Sequence, residues 1–244
     1  MSAPSTSNRK TTRCPACETR RPHDQRGAGA AAGARTYDGV VTLLERIFSP
    51  RWFMPTAIFV VRAYLRIFTG LTVYGLENVP RAGPAVVACN HVSSWDPPVV
   101  GVAINRKLEF MAKKELFEKP FLAAVMRGLR AFPVDRERND IGAIKEALRR
   151  LEAGRVIGIF IQGTRNAGDA AALDGAAYLA QRSAAVVVPT AIWRQGRAFH
   201  VRFGEMIAPS GSGKDDMKLL TARLTVAING LVPEQAQRAP RGAE

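Results

Sequence analysis

From Leu71 onward the chain alternates short β-branched runs with segments of helical periodicity, and this restricts it to a sheet covered by helices. The runs span Leu71 to Gly75, Pro84 to Cys89, Leu108 to Ala112, Ala131 to Asp135, Arg155 to Ile161, Ala184 to Ile192 and Phe199 to Phe203, each of strand length and rich in β-branched or aromatic residues. Helical segments lie near Pro97 to Ile104, Lys119 to Leu129, Asn139 to Ala153, Ala170 to Arg182 and Asp215 to Leu231. Such an order predicts an α/β fold: a single domain with a mixed, largely parallel central sheet covered by helices. We place that domain at residues 71–231, with 232–244 a frayed, disordered tail. The 244 residues suffice for one well-buried core.

Two segments of different character precede the domain. Residues 1–37 carry seven basic residues against two acids and are rich in Ser, Thr, Gly and Ala, a composition that cannot bury enough apolar surface to order itself. Residues 38–70 are apolar and aromatic, but Arg51, Arg62 and Arg66 interrupt them, so no stretch of ~20 apolar residues is left to span a bilayer. They read as an N-terminal interfacial helix or helix pair, with the arginines reaching lipid phosphates and Trp52 near the headgroups. The alternative is an ordinary helix packed at the domain edge. The formal net charge of +14 points to an anionic partner. Aromatics are few and are not interleaved with basic residues as an RNA-stacking sheet requires, so we expect a membrane lipid surface and no nucleic acid.

Three cysteines form no disulfide framework and no cleavable signal opens the chain, so we expect it on the cytoplasmic face of the membrane, peripheral or monotopic. Cys14, Cys17 and His23 are three zinc-ligand types without a second cysteine pair, and we expect reduced thiols and no metal.

The chemistry concentrates where apolar runs end. Asn90-His91-Val92-Ser93-Ser94-Trp95-Asp96-Pro97-Pro98 follows a strand and opens a helix, which puts His91 on a strand-to-helix loop, where catalytic groups collect in α/β folds. His91 and Asp96 would point about 140° apart on a continuous helix, so the loop must turn between them. Asp96 suits an N-cap with Pro97 in the first turn. A carboxylate accepting from one ring nitrogen raises the basicity of the other. The plainer reading is a helix cap beside a loop histidine. A second run ends in Gln162-Gly163-Thr164-Arg165, where glycine allows close backbone approach and Arg165 offers a fork for phosphate or carboxylate. A third ends in Asp135-Arg136, either an anion site or a solvated pair. The fourth, Val187-Val188-Pro189-Thr190, is mainly structural, its proline suggesting an edge strand or a bulge.

Taken together, Asn90-His91-x4-Asp96, Lys114-Glu115-Leu116-Phe117 with Pro133-Val134-Asp135-Arg136, Gly163-Thr164-Arg165 and Val188-Pro189 resemble, in order and spacing, the blocks of the 1-acylglycerol-3-phosphate acyltransferase (PlsC-type) family. The resemblance covers roughly Leu71 to Glu205. It implies transfer of a fatty acyl group from acyl-CoA or acyl carrier protein, as co-substrate, to the free hydroxyl of lysophosphatidic acid, giving phosphatidic acid without an added cofactor. His91 would be the general base and Asp96 its partner. Asn90, Arg136, Gln162, Gly163, Thr164 and Arg165 would bind substrate, Arg136 and Gly163 to Arg165 holding the acceptor's phosphate. No acyl-enzyme is implied, and Cys89 reads as a buried strand residue.

The chain departs from the family in its third block, usually Phe-Pro-Glu-Gly-Thr-Arg, where Ile161 and Gln162 replace proline and glutamate. A basic residue common before the glycine of the next helix is Asp174 here. These changes keep open an acyltransferase for another lysolipid or a glycolipid, or a lipid-binding homologue without turnover.

Overall fold

The structure is a computed structural model that describes residues 43–44, 46–49, 51–91, 93–135, 140–161 and 167–234, with the backbone alone at 167–172. Seven strands form one sheet: β1 (Leu71–Tyr74), β2 (Ala85–Asn90), β3 (Leu108–Lys113), β4 (Phe132–Val134), β5 (Val156–Ile161), β6 (Val186–Gln195) and β7 (Ala198–Phe203). They lie side by side in the order β1-β7-β6-β2-β5-β3-β4. Every neighbouring pair is parallel except β6 and β7, a hairpin. The mixed, largely parallel sheet is as expected. Each of the seven runs became a strand, because a β-branched run between turn residues has few other ways to bury itself.

Among the residues described from 51 onward the α-helices are α1 (Phe53–Tyr64), α2 (Asp96–Ala103), α3 (Pro120–Gly128), α4 (Ile141–Glu152), α5 (Ala167–Ser183) and α6 (Lys214–Leu231). Alternation along the strands sends side chains to two separate cores. On one face Val86, Ala88, Ile157, Ile159, Ile161 and Val187 pack under α4, α5 and α6. On the other Ala85, Val87, Cys89, Val188, Ile192 and Phe203 pack under α2, with Ile58 and Val61 of α1 against them. Ala85 through Cys89 are completely buried, as an internal parallel strand requires. All described residues belong to one compact unit, 41–244.

Of the two alternatives for Pro189 the edge strand fails, since β6 is internal and paired with β2 and β7, whereas the bulge fits a pairing that slips by one residue between the Thr190–Phe203 pair and the Val187–Ile207 bridge. The ladder to β7 begins only at Thr190, and Pro189 meets that side through its carbonyl, which accepts from the Gly204 amide at 2.7 Å. A strand can hold a proline internally where its missing N–H is not required.

Ahead of β1, helical backbone occurs at 43–44 and 46–47, and α1 runs into a π-helical turn at Leu65–Thr69. Gly70 ends it at φ +99°, where a side chain would be strained. No helix among the described residues is long and apolar enough to cross a membrane. The basic arm with Cys14, Cys17 and His23 lies outside the described residues, as does the tail from 235 onward.

Candidate active site

Parallel strands β2, β5, β3 and β4 end at one edge of the sheet, and three of the four blocks leave the sheet there. β2 ends at Asn90, which pairs with Ile161 at the end of β5. The chain beyond β2 turns once and enters α2. Within that turn His91 Nδ1 lies 2.9 Å from Asp96 Oδ2, and the Ser93 amide donates to the same oxygen at 2.8 Å. The Asp96 amide in turn donates to the Ser93 carbonyl at 3.0 Å. These bonds close the loop on itself and join the two residues that a continuous helix would have separated.

Asp96 is not the N-cap that its place before Pro97 suggested. It is the first helical residue, with Trp95 in the cap position and making no side-chain cap bond. The carboxylate turns back onto the loop, where Ser93 and His91 meet it. Its side chain is 1% exposed and that of His91 19%, so the carboxylate is inside the protein and the ring at its surface. A buried carboxylate on Nδ1 fixes the tautomer that carries a proton there, an arrangement in which Nε2 can accept a proton. The ring rests against Phe160, with centroids 5.3 Å apart, and Phe160 stacks on Phe110 at 5.5 Å. Gly158 makes room for that support, because a Cβ there would come within 2.9 Å of the Phe110 ring.

Asn90, expected to touch substrate, has its amide engaged elsewhere. Its Nδ2 donates to the Ile192 carbonyl at 2.8 Å and its Oδ1 accepts from the Ile192 amide at 2.7 Å. The side chain thereby continues the β2–β6 ladder beyond Cys89 and Thr190, the last backbone pair. Cys89 points into the core; burial first, and then the charge of Asp96, pushes its thiol well above the ordinary value. A thiol held protonated there is a packing group, as the sequence suggested.

The other expected substrate-binding residues, Arg136, Gln162, Gly163, Thr164 and Arg165, lie outside the described residues. Their described neighbours locate the points of exit. Ile161, the residue before Gln162 in sequence, pairs with Asn90. Val134 pairs with Lys113 on an edge strand three places from β2, roughly 14 Å away. There Lys114 Nζ bonds Asp135 Oδ2 at 2.6 Å. Asp140 accepts from the Asp135 amide at 3.0 Å with one oxygen and from the Ala143 amide at 2.9 Å with the other. It caps α4 and holds together the two ends of the segment containing Arg136. Those two amides hold its carboxyl below the ordinary value.

Asp174, which stands where the family commonly has a basic residue, accepts from Thr221 Oγ1 at 2.8 Å and so links α5 to α6. Two clusters escaped sequence reasoning. Buried Glu109 lies beneath Arg130, Arg150 and Arg155 at 3.2, 2.7 and 3.2 Å; a lone acid inside the apolar run Leu108 to Ala112 was the available signal. Trp95 stacks on Tyr64 of α1, centroids 5.3 Å apart and planes within 10°. Nothing in local spacing joins residues so far apart. No group of three or more His, Cys, Asp or Glu among the described residues has a metal-holding arrangement.

Known proteins share this arrangement of elements. The family model described as Acyltransferase matches residues 70–193, just over half of the chain, including β2, the His91–Asp96 loop, β5 and most of β6. A 1-acyl-sn-glycerol-3-phosphate acyltransferase of Bacillus subtilis is 36% identical over 184 residues, covering 71% of this chain and 92% of the relative. One from Borreliella burgdorferi is 26% identical over 133 residues, 53% of each chain. The crystal structure of the 1-acyl-sn-glycerophosphate (LPA) acyltransferase PlsC from Thermotoga maritima matches the fold with a TM-score of 0.59 at 22% identity, over 84% of this chain and 90% of that one. With the family match over β2 to β6 and a relative aligned over nearly its whole length, the chain belongs to the acyltransferase family.

Proposed function

We propose that this protein transfers a fatty acyl group from a thioester, acyl-CoA or acyl carrier protein, to the free hydroxyl of lysophosphatidic acid, giving phosphatidic acid. The observation that carries the reading is the His91–Asp96 contact of 2.9 Å at the end of β2, on a chain 36% identical to a 1-acyl-sn-glycerol-3-phosphate acyltransferase over 92% of that protein. Nε2 of His91 takes the hydroxyl proton as the oxygen attacks the thioester carbonyl. The tetrahedral intermediate collapses with loss of the thiolate, and the imidazolium returns the proton to sulfur. Asp96 stabilises the imidazolium while it exists. The thioester is already activated, so the step needs no acyl-enzyme, consistent with a Cys89 thiol kept protonated by burial.

Arg136 and the Gly163-Thr164-Arg165 turn bind the acceptor's phosphate in this reading. The exits of β4 and β5 at the same sheet edge as His91 support it. Asn90 acts by position, holding β6 beside the loop through Ile192. Gln162 retains the reach of the glutamate it replaces and lacks its charge.

The reaction takes place at a membrane surface. Trp52, Phe59, Val60, Ile67 and Phe68 are 50–71% exposed, and an apolar row of that extent marks an interaction site. The test supplies purified protein with labelled acyl-CoA or acyl carrier protein and a panel of lysolipids in detergent. Labelled phosphatidic acid as the main product supports the proposal. Preference for a lysolipid without the phosphomonoester would replace the acceptor, and no transfer to any member would sink the enzyme reading.

A further inference from the structure

We propose that Trp95, inside the catalytic loop, is itself a membrane-contact residue, so that the His91–Asp96 loop docks on the bilayer together with α1. The inference rests on the lipid-acceptor reading above and adds where the lipid surface lies relative to the base.

On a helical projection, Met54, Ile58, Val61 and Leu65 share one side of α1 and its continuation, and that side faces the core. Trp52, Phe59 and Val60 lie on the opposite side and Tyr64 on a flank between the two sides, and all four are exposed. Arg51 and Arg66 fall on the other flank between the two; Arg62 shares that flank but, contrary to the expectation that it reaches lipid phosphate, donates through Nη2 to the Val102 carbonyl at 3.2 Å. An apolar face bordered by cations is the arrangement of a helix lying in the headgroup layer of an anionic bilayer. A protein partner would not require basic residues along a single border.

The row does not end with α1. Tyr64 contacts Phe68 at 5.3 Å and stacks on Trp95 at the same separation, and Trp95 is 44% exposed. The indole therefore extends the exposed apolar surface from α1 onto the catalytic loop. Tryptophan and tyrosine favour the boundary between headgroups and acyl chains, where one end of the ring is apolar and the other wet. The next residue along is Asp96, whose carboxylate is buried against His91. Consecutive residues thus face opposite ways, one toward the lipid and one toward the base. A lysolipid whose acyl chain stays in the bilayer would present its headgroup hydroxyl to His91 from this side.

The test uses the full chain with vesicles of phosphatidylcholine and phosphatidylglycerol containing lipids brominated in the upper acyl chain. Trp52→Phe and Trp52→Phe/Trp95→Phe proteins are compared, so the difference in quenched emission reports Trp95, while Trp193 in the sheet is common to both. Trp95 emission that is quenched on vesicle binding is the expected result. Proteins that float with the vesicles while Trp95 stays unquenched would overturn the proposal and leave the membrane reading standing. Failure to float would remove both. A mass measurement showing a dimer that shields Trp95 from acrylamide without lipid would assign the surface to a second copy and overturn it too. As a functional arm, Trp95→Ala should lower transfer to bilayer-embedded acceptor on the order of tenfold more than transfer to a short-chain acceptor dissolved in water. Equal losses on both would make Trp95 a packing residue of the loop and refute the proposal.

Discussion

Replacing Asp96 by asparagine tests the division of labour in the loop. Asp96 Oδ2 accepts from His91 Nδ1 at 2.9 Å and from the Ser93 amide at 2.8 Å, and an amide oxygen of nearly the same size can occupy that position. What Asp96→Asn removes is the negative charge next to an imidazole that, in the proposed mechanism, becomes positive during attack. Two unit charges 4 Å apart attract by about 4 kcal/mol at an effective dielectric of 20. The neutral hydrogen bond that remains keeps part of the orientation, so we take the barrier to rise by roughly 3–4 kcal/mol, a fall in kcat of about 10²–10³-fold. This stays within the 10²–10⁴-fold that positioned general bases contribute. The assay is steady-state acyl transfer to lysophosphatidic acid at saturating donor, with circular dichroism to confirm folding. The acceptor's KM should change little, since the carboxylate is buried behind His91 and the residues proposed to bind the phosphate are unaltered. A folded Asp96→Asn protein with kcat within about tenfold of wild type, or one whose loss lies in KM, would refute the reasoning.

Other consequences are more local. Glu109→Gln leaves three arginine side chains facing a neutral group in a buried site, and breaking such a cluster costs about 3 kcal/mol. For a unit of this size that is a fall in Tm of roughly 6–12 °C, measurable by thermal circular dichroism; a fall below about 2 °C would show that solvent or Glu146 compensates for the lost charge. In a Cys14→Ser/Cys17→Ser protein, Cys89 should resist iodoacetamide in the native state as pH is raised from about 7 to about 9, because burial keeps it protonated, and react once guanidinium unfolds the chain. Stoichiometric native labelling accompanied by loss of transfer would instead make it a candidate nucleophile.

Strand order along the chain was readable because β-branched runs bounded by Gly, Pro and Asn act locally, and all seven runs paired. The His91–Asp96 pairing was readable for a similar reason, since one tight turn encloses both residues. The bond that makes the turn was not, because Ser93 donates through its backbone and any residue there could do so; hence Asp96 was expected to cap α2 and was found facing back onto His91. Pro189 shows a limit of propensity: an internal strand accepts it where its carbonyl alone meets the neighbouring strand. Asp174 shows a limit of family comparison, since a missing positive charge was visible and its hydrogen bond to Thr221 was not. Glu109 with its arginines, and Tyr64 with Trp95, unite residues distant in sequence through the folded sheet, beyond the reach of any local pattern.

In the proposed reaction His91 is the general base: it takes the proton of the acceptor hydroxyl as that oxygen receives the acyl group from the thioester. The most direct measurement follows label from acyl-CoA or acyl carrier protein into phosphatidic acid with wild-type protein and with His91→Ala, each shown to be folded and vesicle-bound. The expected result is transfer by wild type and a fall of at least about 10²-fold in His91→Ala, at equal vesicle binding. Wild-type transfer that persists within a few-fold in folded His91→Ala would contradict the account.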